Sequence, residues 1–174
     1  DALVAVGMGG APLPARHGFP ARLVVAGLYG YVSATKWLTE LELTTWDEFD
    51  GFWISRGWAK EGPVKTASRI DVPRDGVGVT AGTVTAAGVA WAPGRGVAGV
   101  EVRVDGGSWR PATLSEPLAD TTWVQWTCDL DLAAGTRVLE VRAVDGDGEV
   151  QSEGPRAVLP DGAEGWHRRE VRVV

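Results

Sequence analysis

The sequence predicts a mainly β protein: a sandwich of two packed antiparallel sheets preceded by a shorter, irregular segment. Three observations lead there. Glycine is abundant, at 24 of 174 residues, which favours a turn-rich β chain over a helical one. From Lys65 onward apolar and polar residues alternate with the period of two that a half-buried strand requires. Turn signals such as DGG and DGDG punctuate that region at short intervals.

Residues 1–38 are rich in Gly, Pro and Ala and hold three strand-like pieces that run in part beyond them: LVAV at Leu3–Val6, ARLVVAG at Ala21–Gly27 and YVSATKWLTELEL at Tyr31–Leu43. DALVAVG opens inside an apolar run without an initiator methionine, so the expectation is a piece of a longer protein. The stretch from about Leu38 to Glu61 is aromatic and irregular, with Trp46, Phe49, Phe52, Trp53 and Trp58. Trp46, Phe49 and Trp53 have the i, i+3, i+7 spacing of a helical turn, inside a linker whose rings pack against a neighbour.

The strand candidates that follow are VKTASRIDVP, GTVTAAGVAWAP, VAGVEVRVDGGSWRPATL, TWVQWTCDLDL, GTRVLEVRAVDGDGEVQSE and WHRREVRVV. Val100, Val102 and Val104 alternate with Glu101, Arg103 and Asp105 before DGG. Leu139, Val141 and Ala143 alternate with Glu140, Arg142 and Val144 before DGDG. A last strand, Val171–Val173, closes the chain. Trp91, Trp109, Trp123 and Trp126 read as core or edge packing of the sandwich, with a shared interface as the alternative.

Composition removes several functions. A formal charge of −6 and no basic run exclude a nucleic-acid partner, which needs a concentrated cationic face. No apolar run is long enough to span a bilayer. Cys128 is the sole cysteine, so it forms no internal disulfide or cysteine metal cluster; in VQWTCDLDL it reads as a buried thiol. DGDG lacks the later glutamate of a calcium loop and reads as a hairpin turn, as does DGG. GMGGAPLP is broken by prolines where a phosphate loop would begin its helix. His17 and His167, 150 residues apart, give no local catalytic triad.

Basic side chains stand in apolar company near both ends of the chain. His17 and Arg22 flank Phe19-Pro20, Lys36 precedes Trp37, and GWHRREVRV places Arg168 beside His167 and Arg169 ahead of the final strand. An arginine forks its donors onto an oxyanion, a lysine supplies a point charge, and a histidine donates to a heterocycle or anion. Burying such groups is costly without a partner, so the set suggests an anionic ligand in a pocket. The plainer alternative has Arg22 and Lys36 as strand residues pointing to water.

GGAPLPARHGFPARLVVAGLYGYVSATKWL resembles the closing segment of the molybdenum-cofactor domain of the sulfite oxidase family. PVKTASRIDVP, AGVAWAPGRGVAGVEVRVDGGSW, QWTCDLDLAAGTRVLEVRAVDGDG and PDGAEGWHRREV resemble its immunoglobulin-like dimerisation domain. The likeness covers essentially the whole chain, and HGFPxR, the K-W pair and the terminal G-W-H occur in the family's order.

The resemblance implies an immunoglobulin-like antiparallel β-sandwich preceded by a truncated piece of the α+β molybdenum-cofactor domain. Residues 1–45 would be the remnant of the molybdopterin-binding domain, 46–62 an aromatic linker and 63–174 the dimerisation domain. It also implies a molybdenum–molybdopterin cofactor in the intact protein, where an oxygen atom is transferred to or from substrate at the metal. His17, Arg22 and Lys36 match family residues at the cofactor, and Arg168 matches an arginine of the substrate-anion pocket, with Arg169 next if the register slips. The metal's cysteine ligand belongs to the upstream part of the domain, so this chain contributes no metal ligand, and Cys128 is not a candidate.

The family's catalytic tyrosine should fall in ISRGWAK, where Trp58 stands; Tyr29 and Tyr31 lie elsewhere, so a substrate other than sulfite is expected. Ala26 replaces the family's usual proline, a change in rigidity only. The implied partners are a second copy bound through the sandwich, a small anionic or polar substrate and an electron-transfer partner that no CxxCH haem motif identifies. An exported or membrane-tethered parent is favoured over a cytoplasmic one, with any signal or tether upstream. The piece alone is expected to be catalytically silent. A non-catalytic immunoglobulin-like interaction module with a vestigial cofactor site is the alternative.

Overall fold

Residues 2–174 are described by a computed structural model, and they divide into two units. One runs up to Val64 and includes Ala157–Ala163; the other comprises Lys65–Arg156 and Glu164–Val174.

The first unit holds short strands. β1 (Ala2–Ala5) is followed by β2 (Gly7–Met8) and β3 (Ala11–Pro12), which form a tight hairpin, and then by β4 (Arg22–Val25). β4 returns antiparallel to β1, with Leu3 opposite Val24 and Ala5 opposite Arg22. The predicted strand over Tyr31–Leu43 does not form. Its start is a single helical turn, α1 (Gly30–Ser33), then one bridge joins Thr35 to Leu23, and the rest is irregular. Leu41 and Leu43 are exposed, and a strand with no neighbour leaves its backbone ladder unpaired, so apolar composition alone does not build one.

Of the helical turn expected around Trp46, Phe49 and Trp53 only pieces form: residues 46–48 make a single hydrogen-bonded turn, Glu48 N–H to the Thr45 carbonyl at 3.3 Å. A 3-10 turn forms later, at Ile54–Arg56, and Gly57 ends it in the left-handed region. Phe52 packs edge-on against Trp53 at 5.0 Å, and Trp53 against Trp58 at 6.2 Å.

The second unit is the sandwich. Its strands are β5 (Ala67–Val72), β6 (Gly78–Val79), β7 (Gly82–Trp91), β8 (Val97–Val104), β9 (Arg110–Pro111), β10 (Thr113–Leu114), β11 (Val124–Leu132), β12 (Gly135–Asp145) and β13 (His167–Val173). One sheet has the order β10-β11-β7-β5 and the other β6-β13-β12-β8-β9. All neighbours are antiparallel except β6 and β13. The chain switches sheets at Ala112, between β9 on the second sheet and β10 on the first.

Period-two patterning positions the core. Along β11, Val124, Trp126, Cys128, Leu130 and Leu132 are buried while the residues between them are exposed. They share one core with Val100 and Val102 of β8, Leu139, Val141 and Ala143 of β12, and Val171 and Val173 of β13. Cys128 is the buried thiol expected: burial pushes its pKa up, Asp129 adds to the rise, and Arg110 opposes it. The last strand runs from His167, inside the WHRREVRVV candidate and ahead of Val171–Val173, because His167 to Val173 all pair with β12.

The DGDG segment is more than the surface turn expected of it. Asp145 is 2% exposed, and its carboxylate accepts from Thr66 Oγ1 at 2.7 Å and Arg95 Nε at 2.9 Å. It also accepts from the backbone N–H groups of Asp147 and Glu149, at 3.2 and 3.0 Å. Burial pushes this carboxyl up, but the hydrogen bonds from Thr66, Arg95 and Glu149 outweigh it and hold the group below its ordinary value. A depressed pKa contributes stability above the unfolded-state value of about 3.9, and that contribution is lost as pH falls through the folded-state value. Asp145→Ala is therefore expected to lower unfolding stability by about 3 kcal/mol at pH 7, read by urea denaturation. The gap to wild type should narrow below about pH 4; a gap unchanged down to that pH would contradict this assignment.

Candidate functional site

The three cations predicted in the first unit come together around one glycine. A 3-10 turn at Ala15–His17 ends at Gly18, whose φ of +112° lies in the left-handed region. A Cβ on Gly18 would lie 3.1 Å from the Cβ atoms of both Arg22 and Lys36. Glycine therefore permits the turn and lets the two cationic side chains converge on it. The chain continues through the cis Phe19-Pro20 peptide into β4, where Arg22 is the first residue.

A strap formed by residues 36–38 is stitched over this turn. Trp37 Nε1 donates to the Ala15 carbonyl at 2.8 Å, Lys36 Nζ donates to the Arg16 carbonyl at 3.2 Å, and Leu38 N–H donates to the Ala21 carbonyl at 2.9 Å. Trp37 itself has φ of +55°, an uncommon conformation for a bulky residue that such a strap must hold in place. Lys36 Nζ lies 4.6 Å from the centre of the Trp37 ring, a cation–π contact.

Arg22 is the most telling member. Its Nη1 donates to the His17 carbonyl at 3.3 Å, but its Nε is buried with no hydrogen-bond partner. Among the described residues no carboxylate pairs with Arg22 or Lys36. A buried, unpaired guanidinium nitrogen is costly. An anionic group fits that need: Arg22 and Lys36 carry positive charge, His17 adds a ring donor, and Gly18 lets the Arg22 and Lys36 side chains pack closely side by side. Among the described residues no group of His, Cys, Asp or Glu could hold a metal ion. A donor set of guanidinium, ammonium and imidazole nitrogens suits an anionic organic group.

Trp58 and Tyr31 lie far apart along the chain, but their rings meet at 4.5 Å. The Tyr31 hydroxyl donates to the Glu61 carbonyl at 3.3 Å. Burial, with Asp161 and Tyr29 adding, pushes its pKa up, so it remains a phenol at neutral pH. Tyr31 also lines a cleft of about 540 Å³ with Trp46, Phe49, Phe52, Trp53 and Lys60. A phenol beside Trp58 is a feature the linear sequence hid, because 27 residues separate the two.

In the second unit Arg168 and Arg169 take opposite faces of β13. Arg169 is mostly buried: it pairs with Asp75 and its Nη2 donates to the Ile70 carbonyl at 2.6 Å. Arg168 is 67% exposed and reaches Glu140 through Nε at 3.2 Å. Arg169 is thus engaged in holding β5 to β13, and Arg168 is the one that faces outward. His167 accepts a hydrogen bond from the Ile70 N–H at Nδ1, 3.2 Å, and burial followed by repulsion from Arg169 pushes its pKa down. It is a neutral structural acceptor.

Of the tryptophans expected to pack in the core or at an edge, Trp126 lies in the core and Trp109 does not. Trp109 packs edge-on with Trp166 at 4.9 Å on the outer face of the second sheet, and both rings lie against the guanidiniums of Arg103 and Arg142. Arg103 and Arg142 alternate outward from Val102, Val104, Val141 and Ala143, so the sequence suggested solvent where the fold builds a cation–π stack.

Two family models match the chain. The oxidoreductase molybdopterin binding domain matches residues 1–53, and the Mo-co oxidoreductase dimerisation domain matches residues 57–174. Mitochondrial sulfite oxidase of Homo sapiens is 34% identical over 99% of this chain and 36% of its own length. Sulfite oxidase of Arabidopsis thaliana is 29% identical over 99% of this chain and 52% of its own. The crystal structure of the sulfane dehydrogenase SoxCD from Paracoccus pantotrophus superposes with a TM-score of 0.72 at 27% identity, covering 87% of this chain and 42% of that one. The chain spans a little over a third of the length of the mammalian relatives it matches.

Proposed function

Because this chain belongs to the sulfite oxidase family of molybdopterin oxidoreductases, with an immunoglobulin-like dimerisation domain, we propose that it supplies one edge of a molybdopterin site and the twofold contact of an oxygen-atom-transferring enzyme. In this reading residues 1–45 belong to the cofactor domain, 46–62 link, and 63–174 dimerise.

The observation that carries the reading is the buried, partnerless Nε of Arg22 behind Gly18, with His17 and Lys36 beside it. When bound, molybdenum–molybdopterin supplies two-electron oxygen-atom transfer. The chain's own residues bind and orient. Arg22 and Lys36 hold the anionic part of the cofactor, with Arg22 fixed by the His17 carbonyl and Lys36 by the Arg16 carbonyl. His17 donates from its ring to the organic portion. These cations act through preorganised charge, already aimed before the ligand arrives.

Arg168 receives the substrate's negative charge through a fork of N–H donors. The named substrates of the relatives, sulfite and sulfane, are small sulfur compounds. A small anionic or polar substrate follows for this chain, and sulfite itself is disfavoured by Trp58 where a tyrosine is expected. An indole N–H donates but lacks a phenolic oxygen. Alone, this stretch is expected to be silent in turnover.

The test is molybdenum and pterin analysis of the purified full-length protein. Both should be present, in a particle that sediments as a dimer. Protein that purifies folded but free of pterin and molybdenum would instead identify an interaction module.

A further inference from the structure

The two outer faces of the sandwich differ in what it costs to cover them. Outward residues of the second sheet include Glu101, Arg103, Glu140, Arg142, Glu170 and Arg172. Arg103 meets Glu140 at 2.6 Å and Arg142 meets Glu101 at 2.7 Å. The Trp109 and Trp166 rings already lie against both of these guanidiniums. Laying another protein over this face takes charges out of water, a desolvation cost that ion pairs seldom return.

The outer face of the first sheet, β10-β11-β7-β5, is built differently. Gln125, Thr127, Asp129 and Asp131 on β11 stand opposite Val89, Ala87, Thr85 and Thr83 on β7. Arg69 on β5 stands on the other side of Val89. At one end of the face Asp129 and Asp131 accept from the Thr85 and Thr83 hydroxyls, at 2.6 and 2.9 Å. The other end is apolar, with Ala67, Val89, Trp91 and Trp123, and its one cation, Arg69, is paired with Asp71 at 2.7 Å. Trp123 is 64% exposed. With Trp91, Pro93, Thr121, Thr122 and Arg69 it lines a groove of about 560 Å³. A large exposed indole beside a groove without surplus charge has the composition of an interface centre.

We propose that this apolar end of the first sheet's outer face is the twofold contact, and that its occupant is the same face of a second copy. The inference rests on the reading that the sandwich dimerises, which the match of residues 57–174 to the Mo-co oxidoreductase dimerisation domain supports. Charge selects a twofold axis parallel to β7. Such an axis lays the β11 side of one face on the β5 side of the other, so Trp123 meets Ala67 of the second copy and Gln125 meets its Arg69. β5 ends at Val72, opposite Ala87, so Asp129 and Asp131 meet no strand of the second copy and no carboxylate faces another. An axis across the strands at Thr127 would instead set the Asp131 carboxylate on the Trp123 indole.

Sedimentation of the full-length protein tests this, and each substitution counts twice because an isologous contact contains it twice. Wild type should be a dimer. Trp123→Glu should raise the dimer dissociation constant at least about a hundredfold. Thr127→Glu, which buries an unpaired charge in the middle of the contact, should raise it at least about tenfold. Both positions are exposed in the single chain, so the unfolding midpoint of the sandwich should stay at its wild-type value. Glu170→Lys, on the outer face of the second sheet, should leave the constant unchanged. If Glu170→Lys weakens the dimer and the two first-sheet variants do not, this face is overturned while the dimer reading stands. A dimer that none of the three weakens overturns it in the same way. A wild-type monomer overturns both the face and the dimer reading.

Discussion

Gly88→Ala is expected to keep the sandwich from closing. Gly88 sits in β7, the strand between β11 and β5, opposite Trp126 on one side and Ile70 on the other. A Cβ there would lie 1.8 Å from the Arg69 carbonyl oxygen and 2.9 Å from Cζ2 of Trp126. The first atom is backbone and the second belongs to a side chain 1% exposed in the core, so neither yields cheaply. Relief requires β5 to move off β7, which breaks the ladder on that edge, and the loss should exceed about 3 kcal/mol. Urea denaturation reads it. Gly99→Ala on β8 is the matched control: its Cβ would meet Val144 Cβ at 3.9 Å, an ordinary contact, and stability should change by less than about 1 kcal/mol. Equal midpoints for the two variants would contradict the close-approach account.

Gly18→Ala should have the second large effect, on ligand retention. At φ of +112° an alanine is strained, and its methyl would press on the Cβ atoms of Arg22 and Lys36 at 3.1 Å. Both cations would be pushed away from the position the ligand needs. The full-length protein carrying this change should lose most of its bound pterin, while the sandwich, a separate unit of the chain, keeps its unfolding midpoint. Retention of pterin at the wild-type level would show that the cations hold nothing at that turn.

The sandwich was legible because strand periodicity needs nothing beyond the sequence. Val100, Val102 and Val104, and the alternation from Val124 to Leu132, state which face is inward. What the sequence hid depends on contacts between distant segments. Tyr31–Leu43 has strand-like composition, but no second strand pairs along it. Asp145 looked like a turn residue because its partners, Thr66 and Arg95, lie 79 and 50 residues away. Arg103 and Arg142 looked solvated because nothing near them announces Trp166.

The candidate site shows the same division. His17 and Arg22 are close in sequence, yet their relation to Lys36 emerges only when Trp37 and Leu38 fold back over Gly18. Counting back by twos from the buried Val173 and Val171 puts Arg169 on the inward side of β13 and Arg168 on the outward side, as the structure has them.

We propose that Arg22, with His17 and Lys36 beside it, holds the molybdopterin. The most direct test is the pterin and molybdenum content of the full-length protein, wild type against Arg22→Ala. About one of each per chain is expected in the wild type. The variant should lose both, with the unfolding midpoint of the sandwich unchanged. Equal pterin content in the two proteins, or none in the wild type, would contradict it.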